Sequence, residues 1–181
     1  MSEKKLLREW YALDVGPGLV KESREKNGGK LIMTGIIQAA DKLNANKRVY
    51  PERVLRREME NYAKAIRERR ALGEADHPDT RSAVNISEVS HVVTEAWWDG
   101  KNVMGKLEIL PTPKGKIVEA LIESGVTLGT SSRGVGNVRQ TNEGSMVEDD
   151  YQLICFDIVS EPSTPGAYLH EGKSIDLNPL K

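Results

Sequence analysis

Apolar residues follow two different periods along the chain, and the change between the periods predicts the order of its elements. Residues 31–37 are apolar and β-branched enough to predict a core strand. Pro51 then opens a segment in which apolar residues recur at spacings of three and four, which is typical of one helix face. The residues of this stripe are Val54, Leu55, Met59, Tyr62, Ala63 and Ile66. Gly73 ends the helical segment, and residues 74–81 form a polar loop.

From residue 86 the period changes to two. Residues 86–98 and 102–110 are strand candidates that flank the dipeptide Asp99-Gly100. This dipeptide predicts a tight hairpin turn, because it tolerates positive φ at both turn positions.

The remaining apolar segments predict one more helix and two more strands. Residues 114–124 fit a helix that offers Ile117, Val118, Ala120 and Leu121 to the core, with Gly125 at the C-terminal cap. Residues 126–138 and 151–159 are strand candidates, joined across a turn at residues 142–144.

This order predicts an α+β fold, a small and mostly antiparallel β-barrel or bent sheet with helices packed outside. Residues 30–169 are the expected folded domain. Residues 1–29 form an N-terminal segment expected to be loosely ordered, with a strand indicated only near residues 10–15. Beyond Pro162 the proline and glycine content rises, so residues 170–181 are expected to form a tail.

Composition narrows the possible partners. The chain has 181 residues with 26 basic and 27 acidic side chains, and this near-neutral balance predicts neither a nucleic acid nor a membrane partner. Cys155 is the only cysteine, which excludes an intrachain disulfide and suits a reducing compartment. Because Cys155 lies in an apolar run, a buried small side chain is favoured over a nucleophile. The sequence has no apolar stretch of about 18 residues and no signal peptide, so a soluble intracellular protein is expected.

The chain has three histidines, and one of them is a candidate for catalysis. His77 lies in the polar loop between a helix and the strands, where rigid elements often present catalytic groups. His91 alternates with Val89 and Val93, which favours a packed strand residue. His170 lies in the tail.

Residues 128–136 (Leu-Gly-Thr-Ser-Ser-Arg-Gly-Val-Gly) are the second candidate segment. A serine becomes a nucleophile when a base takes its proton, and N–H groups of a glycine-rich turn can stabilise the oxyanion. Arg133 could add a cation to such a turn. A glycine-rich bulge or turn without chemistry fits the segment equally well, whereas a phosphate loop lacks its Gly-Lys-Ser/Thr signature.

Asp157 is a carboxylate between apolar neighbours in a strand candidate. A buried carboxylate needs a cation or a histidine as partner, and in a triad it would accept a hydrogen bond from His77. Alternatively, Asp157 faces solvent. A metal site made of Asp76, His77, Asp79 and His91 is disfavoured because no H-E-x-x-H pairing is present. No metal or cofactor is predicted.

Motifs in one order between residues 31 and 169 resemble those of the prohead core protein serine proteases of large tailed phages. The motifs are Gly35-Ile36-Ile37-Gln38-Ala39, Asn46-Lys47-Arg48-Val49-Tyr50-Pro51, Leu72-Gly73-Glu74 with His77-Pro78, Trp97-Trp98 with Gly100, Ser131-Ser132-Arg133-Gly134, Thr141-Asn142-Glu143-Gly144, and Asp157 with Pro162-Ser163.

The resemblance implies a serine endopeptidase similar in fold to the herpesvirus assembly proteases. It implies Ser131 as nucleophile, His77 as base and Asp157 as orienting acid. Ser132, Arg133 and Gly134 of the glycine-rich segment are the candidates for an oxyanion hole or for support of the turn. Neighbouring side chains point opposite ways, so only one of the two serines can meet the histidine, and Ser132 is the second choice.

The resemblance also implies partners and a location. The substrates would be phage scaffold or core proteins, the propeptide of the major capsid protein and the protease itself. The protease would be a homo-oligomer inside the prohead in the host cytoplasm. A family preference for cleavage after glutamate fits Leu169-His170-Glu171 as a self-processing site, and Leu7-Arg8-Glu9 fits the same pattern. Two alternatives are an inactive capsid-core structural protein with this fold and an unrelated metal-dependent hydrolase.

Overall fold

A computed structural model describes residues 4–13, 17–76, 78 and 81–160 of the chain. Within these residues the helices are α1 (Pro17–Lys26), α2 (Glu52–Arg67) and α3 (Pro113–Glu123). The strands are β1 (Lys5–Ala12), β2 (Leu31–Ala39), β3 (Arg48–Val49), β4 (Leu72–Glu74), β5 (Val89–Asp99), β6 (Asn102–Ile109), β7 (Leu128–Gly136), β8 (Val138–Thr141), β9 (Gly144–Val147) and β10 (Gln152–Ser160). None of the described helices is both long and apolar enough to cross a membrane.

The helices follow from local signals that the sequence carries. Pro51 is the N-cap of α2, and the predicted stripe is buried at Val54, Leu55, Met59 and Tyr62. Thr112 caps α3 by accepting a hydrogen bond from the Gly115 N–H at 3.0 Å.

The apolar face of α3 differs from the prediction. Val118 is buried as expected, but Ile122 and Gly115 complete the buried face. Ile117 and Leu121 are exposed to 50% and 36%. The helix is therefore rotated relative to the predicted stripe, because its packing partner β5 meets the side that carries Gly115.

The described strands form three sheets. The first has the order β1-β7-β10, and the second has the order β2-β6-β5-β4, both with antiparallel neighbours. The third, β3-β9-β8, contains one parallel pair. Among the described residues, a parallel bridge between Ala75 and Ile158 connects the first two sheets.

The predicted mixed, mostly antiparallel architecture is confirmed. The ladders among the described residues do not close into a barrel, so the barrel alternative is not confirmed. The similarity in fold to the herpesvirus proteases stays a prediction.

Two parts of the chain differ from the predicted order. The turn at residues 142–144 closes a short β8–β9 hairpin, whereas the sequence suggested that it joins two long strands. Near the N-terminus, β1 begins before the predicted strand and pairs along its whole length with β7. These pairings place β7 in the centre of its sheet.

Candidate active site

Ser131 and Asp157 are brought together by the register of β7 and β10. Asp157 lies directly opposite Ser131, and Trp10 of β1 lies opposite Ser131 on the other side. Residues directly opposite each other in an antiparallel pair share a face of the sheet. Ser131 and Asp157 are both 0% exposed. The segment around Ser131 is an extended central strand, which confirms the strand predicted over residues 126–138. The glycine-rich turn considered for residues 128–136 does not form there.

Ser132 points to the opposite face. Its Oγ accepts a hydrogen bond from Gln38 Nε2 at 3.0 Å, and Gln38 Oε1 in turn accepts one from the Tyr11 hydroxyl at 2.9 Å. Gly134 lies on this face too, where a Cβ atom would come within 2.5 Å of the Tyr151 hydroxyl oxygen. Ser132 and Gly134 are thus engaged in packing away from Asp157.

Arg133 holds the Asp157 carboxylate from the Ser131 face. Its Nε donates to Asp157 Oδ2 at 3.0 Å and its Nη2 donates to Asp157 Oδ1 at 2.9 Å. The same Nη2 donates to Glu74 Oε2 at 3.0 Å. Asp157 therefore has the cationic partner that a buried carboxylate needs, while its predicted contact with His77 stays a prediction.

Glu74 joins the cluster to the loop that follows β4. Its carboxylate accepts hydrogen bonds from Arg81 Nη1 at 2.6 Å and Arg81 Nη2 at 2.8 Å. Burial alone would raise the pKa of Glu74, but the hydrogen bonds from Arg81, the Asn85 N–H and Arg133 outweigh it and hold the pKa below its usual value. The cluster consequently contains two carboxylates, Glu74 and Asp157, and two guanidinium groups, Arg81 and Arg133.

Arg133 also binds the loop backbone. Its Nη1 donates to the carbonyl oxygens of Arg81, Ser82 and Ala83 at 3.3, 3.2 and 3.2 Å. With these bonds, each N–H group of the guanidinium has an acceptor. An oxyanion role for residues 132–134 stays a prediction, and the described contacts of Arg133 are with the loop and two carboxylates.

The described residues on both sides of position 77 are tied to the same sheet. The Asp76 N–H donates to the Ile158 carbonyl oxygen at 2.6 Å, and the Pro78 carbonyl oxygen accepts a bond from Arg8 Nη1 at 3.3 Å. His77 itself lies outside the described residues, as do Asp79, His170 and Glu171.

Cys155 has the inert role that its apolar surroundings predicted. The thiol is buried beside Asp157, with its Sγ 3.5 Å from Asp157 Oδ1. Burial and the neighbouring carboxylate raise the pKa of Cys155 well above its usual value, so the nucleophilic thiolate is disfavoured.

His91 is a core residue, as its alternation with valines predicted. Its Nε2 donates to the Phe156 carbonyl oxygen at 2.7 Å, because a carbonyl can only accept. Its Nδ1 therefore accepts the hydroxyl hydrogen of Ser90, also at 2.7 Å. Gly73 makes this contact possible, since a Cβ atom there would lie 2.2 Å from His91 Nε2. Neither ring nitrogen is left for a metal.

His91 should make the stability of the protein sensitive to mild acid. Burial lowers the pKa of His91 below 6.5, the value expected in the unfolded chain. As pH falls below that value, the unfolded state binds the proton more readily, and the free energy of unfolding decreases. We expect His91→Gln to lose less stability than wild type between about pH 8 and about pH 5 in urea titrations. The other two histidines are present in both proteins, and equal losses would contradict the assignment.

A second buried cluster explains the motif around Tyr50, which sequence patterns did not assign to any contact. Glu9 of β1 accepts hydrogen bonds from Arg48 Nε at 2.7 Å, the Tyr50 hydroxyl at 2.5 Å and Asn44 Nδ2 at 2.7 Å. These bonds fix β1 against the loop before α2. They hold the strand that carries Trp10 in register with Ser131.

Comparisons with known proteins identify the family of this chain. The family model of the prohead core protein serine proteases matches residues 15–176. The prohead core protein protease of Enterobacteria phage T4 is 32% identical over an alignment that covers 93% of this chain and 85% of that protein. The structure of the bacteriophage T4 capsid assembly protease superposes with a TM-score of 0.77 at 29% identity, covering 89% of this chain and 100% of that chain. This chain belongs to the prohead core protein serine protease family and is a peptidase of phage capsid assembly.

Proposed function

We propose that this peptidase is a serine endopeptidase with Ser131 as nucleophile, His77 as general base and Asp157 as the carboxylate that orients the histidine. The observation that carries the proposal is the cross-strand pairing of Ser131 with Asp157 on one buried face. The same pairing favours Ser131 over Ser132, whose hydroxyl binds Gln38 on the opposite face.

The proposed reaction has two steps, acylation of Ser131 and hydrolysis of the acyl-enzyme ester. His77 takes the hydroxyl proton of Ser131 while Oγ bonds to the carbonyl carbon of the scissile peptide. The C–N bond then breaks as the imidazolium returns the proton to the leaving amine, which leaves an ester on Ser131. Water, activated by His77, cleaves the ester and restores the serine hydroxyl.

Asp157 is proposed to orient the imidazole of His77. The Asp157 carboxylate suits this role because several hydrogen bonds hold it in one position. Arg133 holds both carboxylate oxygens, and the Glu74 N–H donates to Oδ1 at 3.0 Å. Arg133 is assigned to this task and not to the oxyanion, because its N–H groups already donate to carboxylates and loop carbonyls.

The proposed substrates are phage scaffold or core proteins, the propeptide of the major capsid protein and the chain itself at Leu169-His170-Glu171. Cleavage after glutamate and homo-oligomerisation inside the prohead belong to the same proposal. Its support is the similarity to a capsid assembly protease over most of the chain. Because Ser131 is fully buried, a peptide reaches it only after the segments that cover it shift.

A fluorophosphonate reagent tests the nucleophile directly. Such reagents phosphonylate a serine activated by a neighbouring base, so we expect one adduct, located on Ser131 by peptide mass spectrometry. The full chain is labelled alone and after co-expression with its core protein, since substrate contacts can open the site. Ser131→Ala and heat-denatured protein are the controls. An adduct on Ser132 would shift the nucleophile by one residue, and cleavage that chelators abolish without any adduct would favour metal chemistry.

A further inference from the structure

Arg8 on β1 is a partly buried cation with one long hydrogen bond and no carboxylate partner within the described chain. Its Nη1 donates to the Pro78 carbonyl oxygen at 3.3 Å, which is a long hydrogen bond. Its Nε is buried and has no hydrogen-bond partner. No carboxylate among the residues that the structure describes forms an ion pair with Arg8.

Arg133 and Arg81 differ from Arg8 because each forms an ion pair with a carboxylate. Arg133 binds Asp157 and Glu74, and Arg81 binds Glu74. These ion pairs occupy both buried carboxylates of the cluster. Arg8 therefore has no carboxylate to share, although an unpaired N–H group in a buried position costs free energy.

The register places Arg8 beside the proposed nucleophile. Arg8 lies opposite Arg133, and Trp10 lies opposite Ser131, so Arg8 and Ser131 are diagonal neighbours on one face. Cα atoms in this relation are about 7–8 Å apart, within the reach of an arginine side chain. The bond to Pro78 also places the guanidinium beside the loop residue that follows position 77.

We propose that Arg8 is a specificity-determining residue that binds the carboxylate of an acidic side chain in the peptide substrate. This inference rests on the proposed serine chemistry at Ser131, and it names the group that recognises the substrate there. A guanidinium offers parallel N–H groups that match a carboxylate, and a substrate carboxylate would supply the acceptor that the described chain lacks.

Matched peptides test the subsite. Each pair carries Glu or Gln at one position near the scissile bond, and each position is scanned in turn. For one position we expect wild type to cleave the Glu form with a kcat/KM roughly 10- to 100-fold above the Gln form. Arg8→Gln should bring this ratio close to one, Arg8→Lys should retain part of it, and Arg8→Glu should favour a Lys-containing peptide.

The control is Lys5→Gln, which removes the same charge from an exposed position on the same strand and should leave the ratio unchanged. A ratio that survives Arg8→Gln overturns the proposal. So does an equal loss for the Glu and Gln forms, which would mean that Arg8 only supports the loop through Pro78. Thermal unfolding of each variant confirms that it is folded.

The design separates this inference from the proposed nucleophile. Undiminished cleavage by Ser131→Ala would reject Ser131 as nucleophile, yet the Glu-to-Gln ratio would still report on Arg8. Where wild type cleaves no peptide, the dissociation constants of the Glu and Gln forms give the same comparison. Equal affinities for the two forms, or no binding of either, overturn the subsite.

Discussion

Ser131→Ala should abolish cleavage of the core protein, with kcat/KM falling roughly 10⁴-fold or more. The variant loses the atom that bonds to the peptide carbonyl carbon. Ser132 points away from Asp157 and is bound by Gln38. Co-expression with the cognate core protein, followed by gel analysis of the cleavage products, measures the loss.

Ser132→Ala is the matched control. It removes the same atom one residue away and leaves the Gln38 amide without its partner, so about 1–2 kcal/mol of stability should be lost. Cleavage should nevertheless stay within about threefold of wild type. The Ser132 hydroxyl packs against Gln38 on the opposite face, so its loss should leave the activation free energy of cleavage nearly unchanged. Loss of cleavage in Ser132→Ala with retention in Ser131→Ala would assign the nucleophile to Ser132.

Elements with a strong local period could be predicted from the sequence. The apolar stripe of α2 and the apolar run of β2 are patterns of residues close in sequence. The hairpin at Gly100 depends only on its own turn, where the φ of Gly100 is 61°. Pro51 and Gly125 likewise bound their helices through local backbone geometry. Such signals do not depend on which distant segment packs against them.

The apolar pattern predicted a strand over residues 126–138, and β7 confirms it. The glycines in this strand also suggested a turn around Ser131, which does not form because the glycines accommodate distant partners. A Cβ atom at Gly129 would come within 2.4 Å of Trp10 Nε1, and one at Gly136 would meet the Tyr151 Cα at 2.9 Å. The glycines therefore leave room for Trp10 of β1 and for Tyr151, which directly precedes β10. A single sequence shows the glycines but not the rings that they accommodate.

The candidate site was predictable only in part for the same reason. The strand candidate around Asp157 and its need for a partner followed from local apolar residues. Its partnership with Arg133 required the register of two strands. The contact of Glu74 with Arg133 required β4 to lie beside β10, next to the bridge between Ala75 and Ile158. The proposed role of Arg8 could not be predicted from neighbouring residues, because it depends on Arg8 having no carboxylate partner among the described residues of the folded chain.

Arg133→Met should lower the free energy of unfolding by about 3–5 kcal/mol, the usual cost of removing one partner from a buried ion pair. Asp157 and Glu74 would lose their shared cation, and the loop carbonyls at residues 81–83 would lose their donor. Arg133→Lys should restore little, because one ammonium group cannot bridge two carboxylates and three carbonyl groups. Urea unfolding monitored by tryptophan fluorescence measures the change.

Arg139→Met is the matched control for this prediction. Arg139 is an exposed arginine on β8, so the same substitution should change the free energy of unfolding by less than about 0.5 kcal/mol. A loss at Arg139 as large as the loss at Arg133 would mean that the buried cluster is not the cause.

The double variant Arg133→Met/Asp157→Asn separates stability from catalysis. Removing both charges avoids a buried carboxylate without a cation, so the double variant should be more stable than the sum of the single losses predicts, with a coupling of about 1–3 kcal/mol. The asparagine can still accept the hydrogen bond from the Glu74 N–H. The double variant should nevertheless cleave poorly, because a neutral amide does not stabilise the imidazolium that forms when Ser131 gives up its proton. Strictly additive losses in the free energy of unfolding would contradict an energetic coupling between Arg133 and Asp157. Cleavage at the wild-type rate would contradict a role for Asp157 in the triad.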